Sequence, residues 1–191
     1  MQTTTRDTNN AAFWKAIGTA EPPSLGPGPR RNRLSTAELR TRLTPFNRSG
    51  NGECNPRSLL EAVALLYHDH HDLAHDLVQD LACQEGVLIH AILHRREPDY
   101  WNAKYWFRRV TDHPMYRSLT VRLQALESST ASEEWMPELL LADSFDPISM
   151  VDACEKVEGK DENLPAVTFL REVQQMEFEC LVEHLLANAG Q

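Results

Sequence analysis

Apolar positions recur with helical spacing over most of the chain. In "SLLEAVALLYH", Leu59, Leu60, Val63, Leu66 and Tyr67 fall on one helical face, and Asn55-Pro56 marks the start of that helix. A second helix over about 72–81 buries Leu73, Leu77 and Leu81, and a third runs over about 86–96. A fourth, capped by Asp99, carries "NAKYWFRRV". His113-Pro114 breaks the chain before "MYRSLTVRLQALE", and Asp146-Pro147 opens "ISMVDACEKV" with a cap followed by proline. A long helix from Asn163-Leu164-Pro165 to about Ala189 aligns Phe169, Val173, Met176, Cys180 and Leu185. Upstream, Ser35 caps "TAELRTRL" with Glu38 at the capping-box position. "STASEEWMPELLLADS" is less regular, and no segment alternates with a period of two between hairpin turns. The pattern predicts an all-α fold of about seven to eight helices. They form antiparallel hairpins, either tetratricopeptide/Sel1-like or an irregular bundle, with a long C-terminal helix.

Residues 1–34 predict a flexible N-terminal tail, and 35–191 a single all-helical domain. "EPPSLGPGPRRNR" is too rich in proline and glycine to hold a regular element. "AAFWKAIG" can form a short helix that docks by Phe13 and Trp14, but the composition favours a mobile arm, dispensable for folding up to about residue 30. "NRSGNGECNP" places Asn47, Ser49, Asn51 and Gly52 at the offsets of an EF-hand loop. Its twelfth position is Ser58, where a bidentate glutamate is needed, and its first is Asn rather than Asp, so calcium is excluded.

The composition narrows the partners. The formal net charge is −9, which opposes nucleic-acid and anionic-membrane binding and leaves a protein or a small molecule, in an oligomeric state the sequence does not set. No apolar run reaches membrane-spanning length. The four cysteines, Cys54, Cys83, Cys154 and Cys180, are widely spaced without a CxxC, which predicts reduced thiols and a cytoplasmic location.

The candidate chemistry is concentrated between Leu65 and Asp99, which hold six of the eight histidines. The helix over about 86–96 is apolar nearly all round, so it should be buried. His90, His94 and Glu97 form a separate stripe on it at i, i+4 and i+7. His68, Asp72 and His75 repeat that spacing on the neighbouring helix, provided that helix runs through "HDHHD". Folding the two helices back on a turn near 82–85 brings His75 level with His94, and Asp72 level with Glu97. Imidazoles and carboxylates converging between two helices suit Zn, Fe or Mn. In that reading His68, His75, His90 and His94 are the metal ligands, and Asp72 or Glu97 is a ligand or general base. The alternative is a structural network without metal, in which Arg95, Arg96 and Arg108 pair with Glu97 and Asp99.

Several familiar motifs are absent: HExxH, GxSxG, the P-loop and GxGxxG. "HD" occurs three times, but no histidine precedes His68, so the HD phosphohydrolase pattern fails. "LLYHDHHDLAHDLVQDL" and "ILHRREPDYWNAKYWFRRV" echo one another: each turns through an Asp-containing stretch and places an alanine, Ala74 or Ala103, at the start of an amphipathic helix. This resembles the helix–turn–helix unit of tetratricopeptide and Sel1-like repeats. The blocks "HAILHRREPDYWNAKYWFRRVTDHP", "FDPISMVDACEKV" and "EVQQMEFECLVEH" resemble an uncharacterised helical family of bacterial and fungal proteins, over about Asn55 to Ala189. That resemblance implies an all-helical domain and no activity. It draws attention to His90, His94, Arg95, Arg96, Glu97, Asp99, Asn102, Arg108 and His113.

Three functions follow as expectations. The first is a helical binding or interaction module with a buried His/Asp/Glu/Arg network. The second is a metal-dependent hydrolase or oxidase using the histidine cluster. The third is a pocket for a small anionic ligand, held by Arg95, Arg96, Arg108 and Asn102. Trp106, on a helix face with Ala103 and Val110, is expected in the core.

Overall fold

The computed structural model describes residues 3–46, 54–126 and 129–188, and the fold is all-helical. Its helices are α1 (Thr3–Ile17), α2 (Thr36–Leu43), α3 (Pro56–Tyr67), α4 (His71–Val78), α5 (Gln84–Arg96), α6 (Tyr100–Phe107), α7 (Pro114–Gln124), α8 (Thr130–Leu139), α9 (Pro147–Val157) and α10 (Pro165–Asn188). Local chemistry sets most of the starts. Ser35 and Glu38 complete a capping box on α2. Asn55, His113 and Asp146 cap α3, α7 and α9, each followed by a proline at the first helical turn. Asp99 accepts from the Asn102 N–H at the start of α6.

The architecture is a set of helical hairpins around α5, with α10 packed across them. α5 contacts α3, α4 and α6, while α10 lies against α1, α3, α7, α8 and α9. Every residue of α5 from Gly86 to Arg96 is buried, as its apolar positions nearly all round the helix predict. Ala74 and Ala103, at the close approaches of α4 and α6, are fully buried.

The structure departs from the expected organisation in four places. First, the expected tail is packed. Phe13 and Ile17 on α1 are fully buried, and the Phe13 ring meets Trp14 and Phe46 edge-on. The Pro/Gly-rich stretch after α1 forms no regular element, as its composition requires. Side chains of the core satisfy its carbonyls instead: Arg171 donates to Pro22 O, Gln174 to Ser24 O and Arg96 to Gly26 O. Gly28 lets this stretch pass close to Asp69: its φ is 77°, and a Cβ there would meet the Asp69 carboxylate at 2.7 Å.

Second, Cys54 and Cys83 form a disulfide, so the expectation of reduced thiols fails for this pair; Cys154 and Cys180 are free and buried. The bridge ties the N-terminal end of α5 to the segment before α3. Third, β1 (Leu140–Leu141) and β2 (Ser144–Phe145) form a minimal antiparallel hairpin. Its two-residue turn, Ala142-Asp143, has φ of 49° and 60°, the left-handed pair that hairpin twist favours. Strands of two residues are too short to show alternation. Fourth, no helix runs through "HDHHD". α3 stops at Tyr67, Asp69 turns the chain with φ of 60°, and α4 begins at His71. The EF-hand-like stretch 47–53 lies outside the described residues.

Candidate metal centre

α4 and α5 are joined by a short turn, and their facing sides bring three imidazoles together. One ring nitrogen from each of His75, His90 and His94 lies within 4.8 Å of the others. Ring centroids are 4.8 Å apart for His75–His90, 5.7 Å for His75–His94 and 4.6 Å for His90–His94. The level placement of His75 and His94 expected from folding the two helices together is therefore observed.

The surroundings of His94 fix its tautomer. Its Nδ1 lies 3.4 Å from Glu97 Oε2 and 3.7 Å from Asp99 Oδ2, so the ring proton belongs on Nδ1. That leaves the Nε2 lone pair aimed at His90 Nε2, 2.9 Å away. Asn102 Nδ2 lies 3.2 Å from His94 Nε2, because the turn at Glu97-Pro98 folds α6 back over the end of α5. The hydrogen bond from His94 is the main reason the Glu97 carboxyl sits below the ordinary glutamate range, and His71 and His75 add to it. His90 is packed against the Trp106 ring at 4.2 Å. Burial, reinforced by His94 and His75, pushes its pKa down to about 4, so at neutral pH the ring is uncharged; facing the His94 lone pair, its Nε2 carries the ring proton, which an ion bound at that atom would displace to Nδ1. Trp106 is half-buried rather than in the core; it stands between His90 and the Arg109 guanidinium.

This donor set matches a divalent transition metal. Ion–nitrogen bonds of ~2.0–2.1 Å put tetrahedral ligand atoms about 3.3 Å apart, close to the His90–His94 separation. A carboxylate holding the far nitrogen of a ligand histidine is the usual way such rings are oriented and made more basic. Glu97 stands in that position behind His94.

The other expected residues go elsewhere. His68 is buried but apart from the cluster: its Nδ1 accepts from the Leu34 N–H at 3.0 Å, so its Nε2–H donates to Ile17 O at 2.8 Å. Asp72 is exposed on α4. Arg95 is fully buried and paired with Glu177 of α10, with Gln174 at 3.5 Å. Arg96, also fully buried, binds the Asp69 carboxylate at 2.7 Å and the carbonyls of Leu66 and Gly26. Burial opposes charge on Asp69, yet the Arg30 N–H and Arg96 hold its pKa below the ordinary range. Arg108 is exposed. The arginines therefore do not converge on an anion pocket.

No family model matches the chain, and neither the curated proteins nor the solved structures hold a significant match. The chemistry of the cluster rests on its own geometry. His71, which has no role in the sequence reading, also faces the cluster's carboxylate: its Nδ1 lies 4.0 Å from Glu97 Oε1. The signal was its own i, i+4 spacing to His75 once α4 starts at His71. Trp106 carried no such signal, since its stacking depends on how α6 folds over α5.

Proposed function

We propose that the protein binds a divalent transition metal, zinc foremost, between α4 and α5 through His75, His90 and His94. The convergence of one nitrogen from each ring within 4.8 Å carries this reading. Two of the rings are buried, and His90 is held neutral. A three-imidazole set leaves a fourth position for water, whose proton the ion makes easier to lose, so the chemistry this centre favours is metal-assisted hydrolysis. Glu97 is a positioning residue for His94 in this scheme. His68 and Asp72 play no part.

A second reading, a helical binding module, is favoured by one observation. Trp101 is 78% exposed on α6, and its ring stacks beside the half-exposed Tyr105 at 6.2 Å. The anion pocket finds no comparable support, since Arg95 and Arg96 are paired inside the protein. The net charge of −9 favours a protein or small-molecule partner over nucleic acid. No described helix is long and apolar enough to cross a membrane. The Cys54–Cys83 bridge favours an oxidising compartment over the cytoplasm.

The test is metal analysis of untagged protein after zinc loading and desalting. His94→Gln should lose one equivalent of bound zinc while its far-UV circular dichroism stays as in the wild type. Unchanged zinc content in a folded His94→Gln protein refutes the centre.

A further inference from the structure

We propose that Glu85, His113 and His184 form a second divalent-metal site, separate from the first and open to a surface cleft. The three residues come from different parts of the chain. Glu85 lies in the first turn of α5, His113 caps α7, and His184 lies near the end of α10. The fold brings one ligand atom from each within 4.8 Å of the others. His184 Nε2 is 3.1 Å from Glu85 Oε1, and the rings of His113 and His184 are 4.6 Å apart. Asn188 Nδ2 also reaches His184 Nε2, at 3.0 Å.

The His113 ring supplies an independent sign. It is 3% exposed, and its buried Nε2 has no hydrogen-bond partner among the described residues. Its Nδ1 accepts from the Met115 N–H at 3.3 Å, so in the neutral ring the proton sits on Nε2 as a buried donor without an acceptor. A metal ion at Nε2 would take the place of that proton, at the expense of the Nδ1 bond to Met115. The proton leaves Nε2 and the ring is reprotonated at Nδ1, which gives up the long cap bond to Met115. Occupancy of the site is thereby coupled to the first turn of α7.

The donor set is two imidazoles and one carboxylate, a zinc set that leaves room for water or a small ligand. A cleft of about 270 Å³, lined by Asn10, Pro114, Met115 and Cys180 among others, reaches the site at His184, while Glu85 and His113 lie outside its lining.

Zinc stoichiometry of the full-length untagged protein tests this site and the first one separately. The wild type should hold two equivalents after zinc loading and desalting. His184→Gln, which can keep a hydrogen bond to Glu85, should hold one, and so should His94→Gln. A wild type holding one equivalent that His94→Gln removes overturns the second site and leaves the first standing. A wild type holding one equivalent that His184→Gln removes does the opposite. If His184→Gln fails to fold, Glu85→Gln takes its place. A wild type without bound zinc overturns both.

Discussion

The Asp69–Arg96 pair sits at the turn that sets the direction of α4, and therefore where His75 lies. Asp69→Asn is the sharpest perturbation of it. Asparagine has nearly the same shape and tolerates the left-handed conformation that Asp69 holds at φ 60°, so the turn itself is not penalised. What is lost is the charge. Arg96 keeps the carbonyls of Leu66 and Gly26 but no counter-ion, and its side chain is 0% exposed. Arg30, which also faces Asp69 with its N–H at 2.9 Å, retains its bonds to Thr19, Glu21 and Tyr67. Removing one partner of a buried pair strands the other charge, at a cost of about 3–5 kcal/mol. For a chain of this size that is a fall in melting temperature of about 6–20 °C. In urea, with a slope near ~2 kcal/mol per molar, the midpoint falls by about 1.5–2.5 M. Adding Arg96→Met removes the stranded charge, so the double variant should recover at least ~1 kcal/mol of the loss. A loss below ~1 kcal/mol in Asp69→Asn, or a double variant less stable than the single one, refutes the claim that this pair holds the turn.

Two further outcomes follow from buried groups outside the proposed metal sites. Phe13→Ala should cost about 3–5 kcal/mol in a urea melt, because the ring is fully enclosed; an effect of a few tenths would mean that α1 does not contribute to the core. His68 gives the protein an acid-sensitive margin. Burial pushes its pKa down to about 4 from an ordinary 6.5, so the ring is neutral in both folded and unfolded states above pH 6.5. As pH falls from 6.5 towards 4 only the unfolded state takes the proton, and stability drops by at most ~1.4 kcal/mol per pH unit from this group. His68→Asn should flatten the fall in unfolding free energy between pH 6.5 and 5, and an equal slope in both proteins would rule this out.

Elements with strong local signals were legible in the sequence. Asn55-Pro56, His113-Pro114 and Asp146-Pro147 each start a helix where caps and prolines place one. The apolar positions nearly all round α5 predicted its burial. The meeting of His75 with His94 was legible too, because a short turn between antiparallel helices fixes which residues come level. What failed depended on contacts remote in sequence. The stretch after α1 reads as a tail by composition, and only the distant Arg96, Arg171 and Gln174 hold it in place. His68 fits the helical spacing, but Asp69 breaks the helix, and the ring turns to Ile17 and Leu34. His184 lies 99 residues from Glu85, so no local spacing connects them.

α5 shows why a helix buried on all sides can still carry so many polar side chains. A central helix has a different neighbour in each direction, and a purely apolar surface would let those neighbours slide. Each polar group on α5 fixes one of them. Arg95 holds α10 through Glu177, and Arg96 holds the α3–α4 turn and the segment after α1. His90 and His94 meet α4 through His75 and α6 through Trp106 and Asn102. Glu85 reaches His184 near the C-terminal end of α10, and Cys83 is bonded to Cys54 ahead of α3. The two imidazole clusters differ from the arginine pairs in one physical respect. Each of these arginines meets a carboxylate, whereas the clusters gather several ligand atoms around one point, three imidazoles in one and two imidazoles with a carboxylate in the other. Such a gathering adds little to folding on its own, since one hydrogen bond would suffice for each ring. It does lower the free energy of a bound cation, which needs several donors at once. The arginines therefore account for the helix's place in the fold, and the histidine clusters mark where the proposed cations would sit.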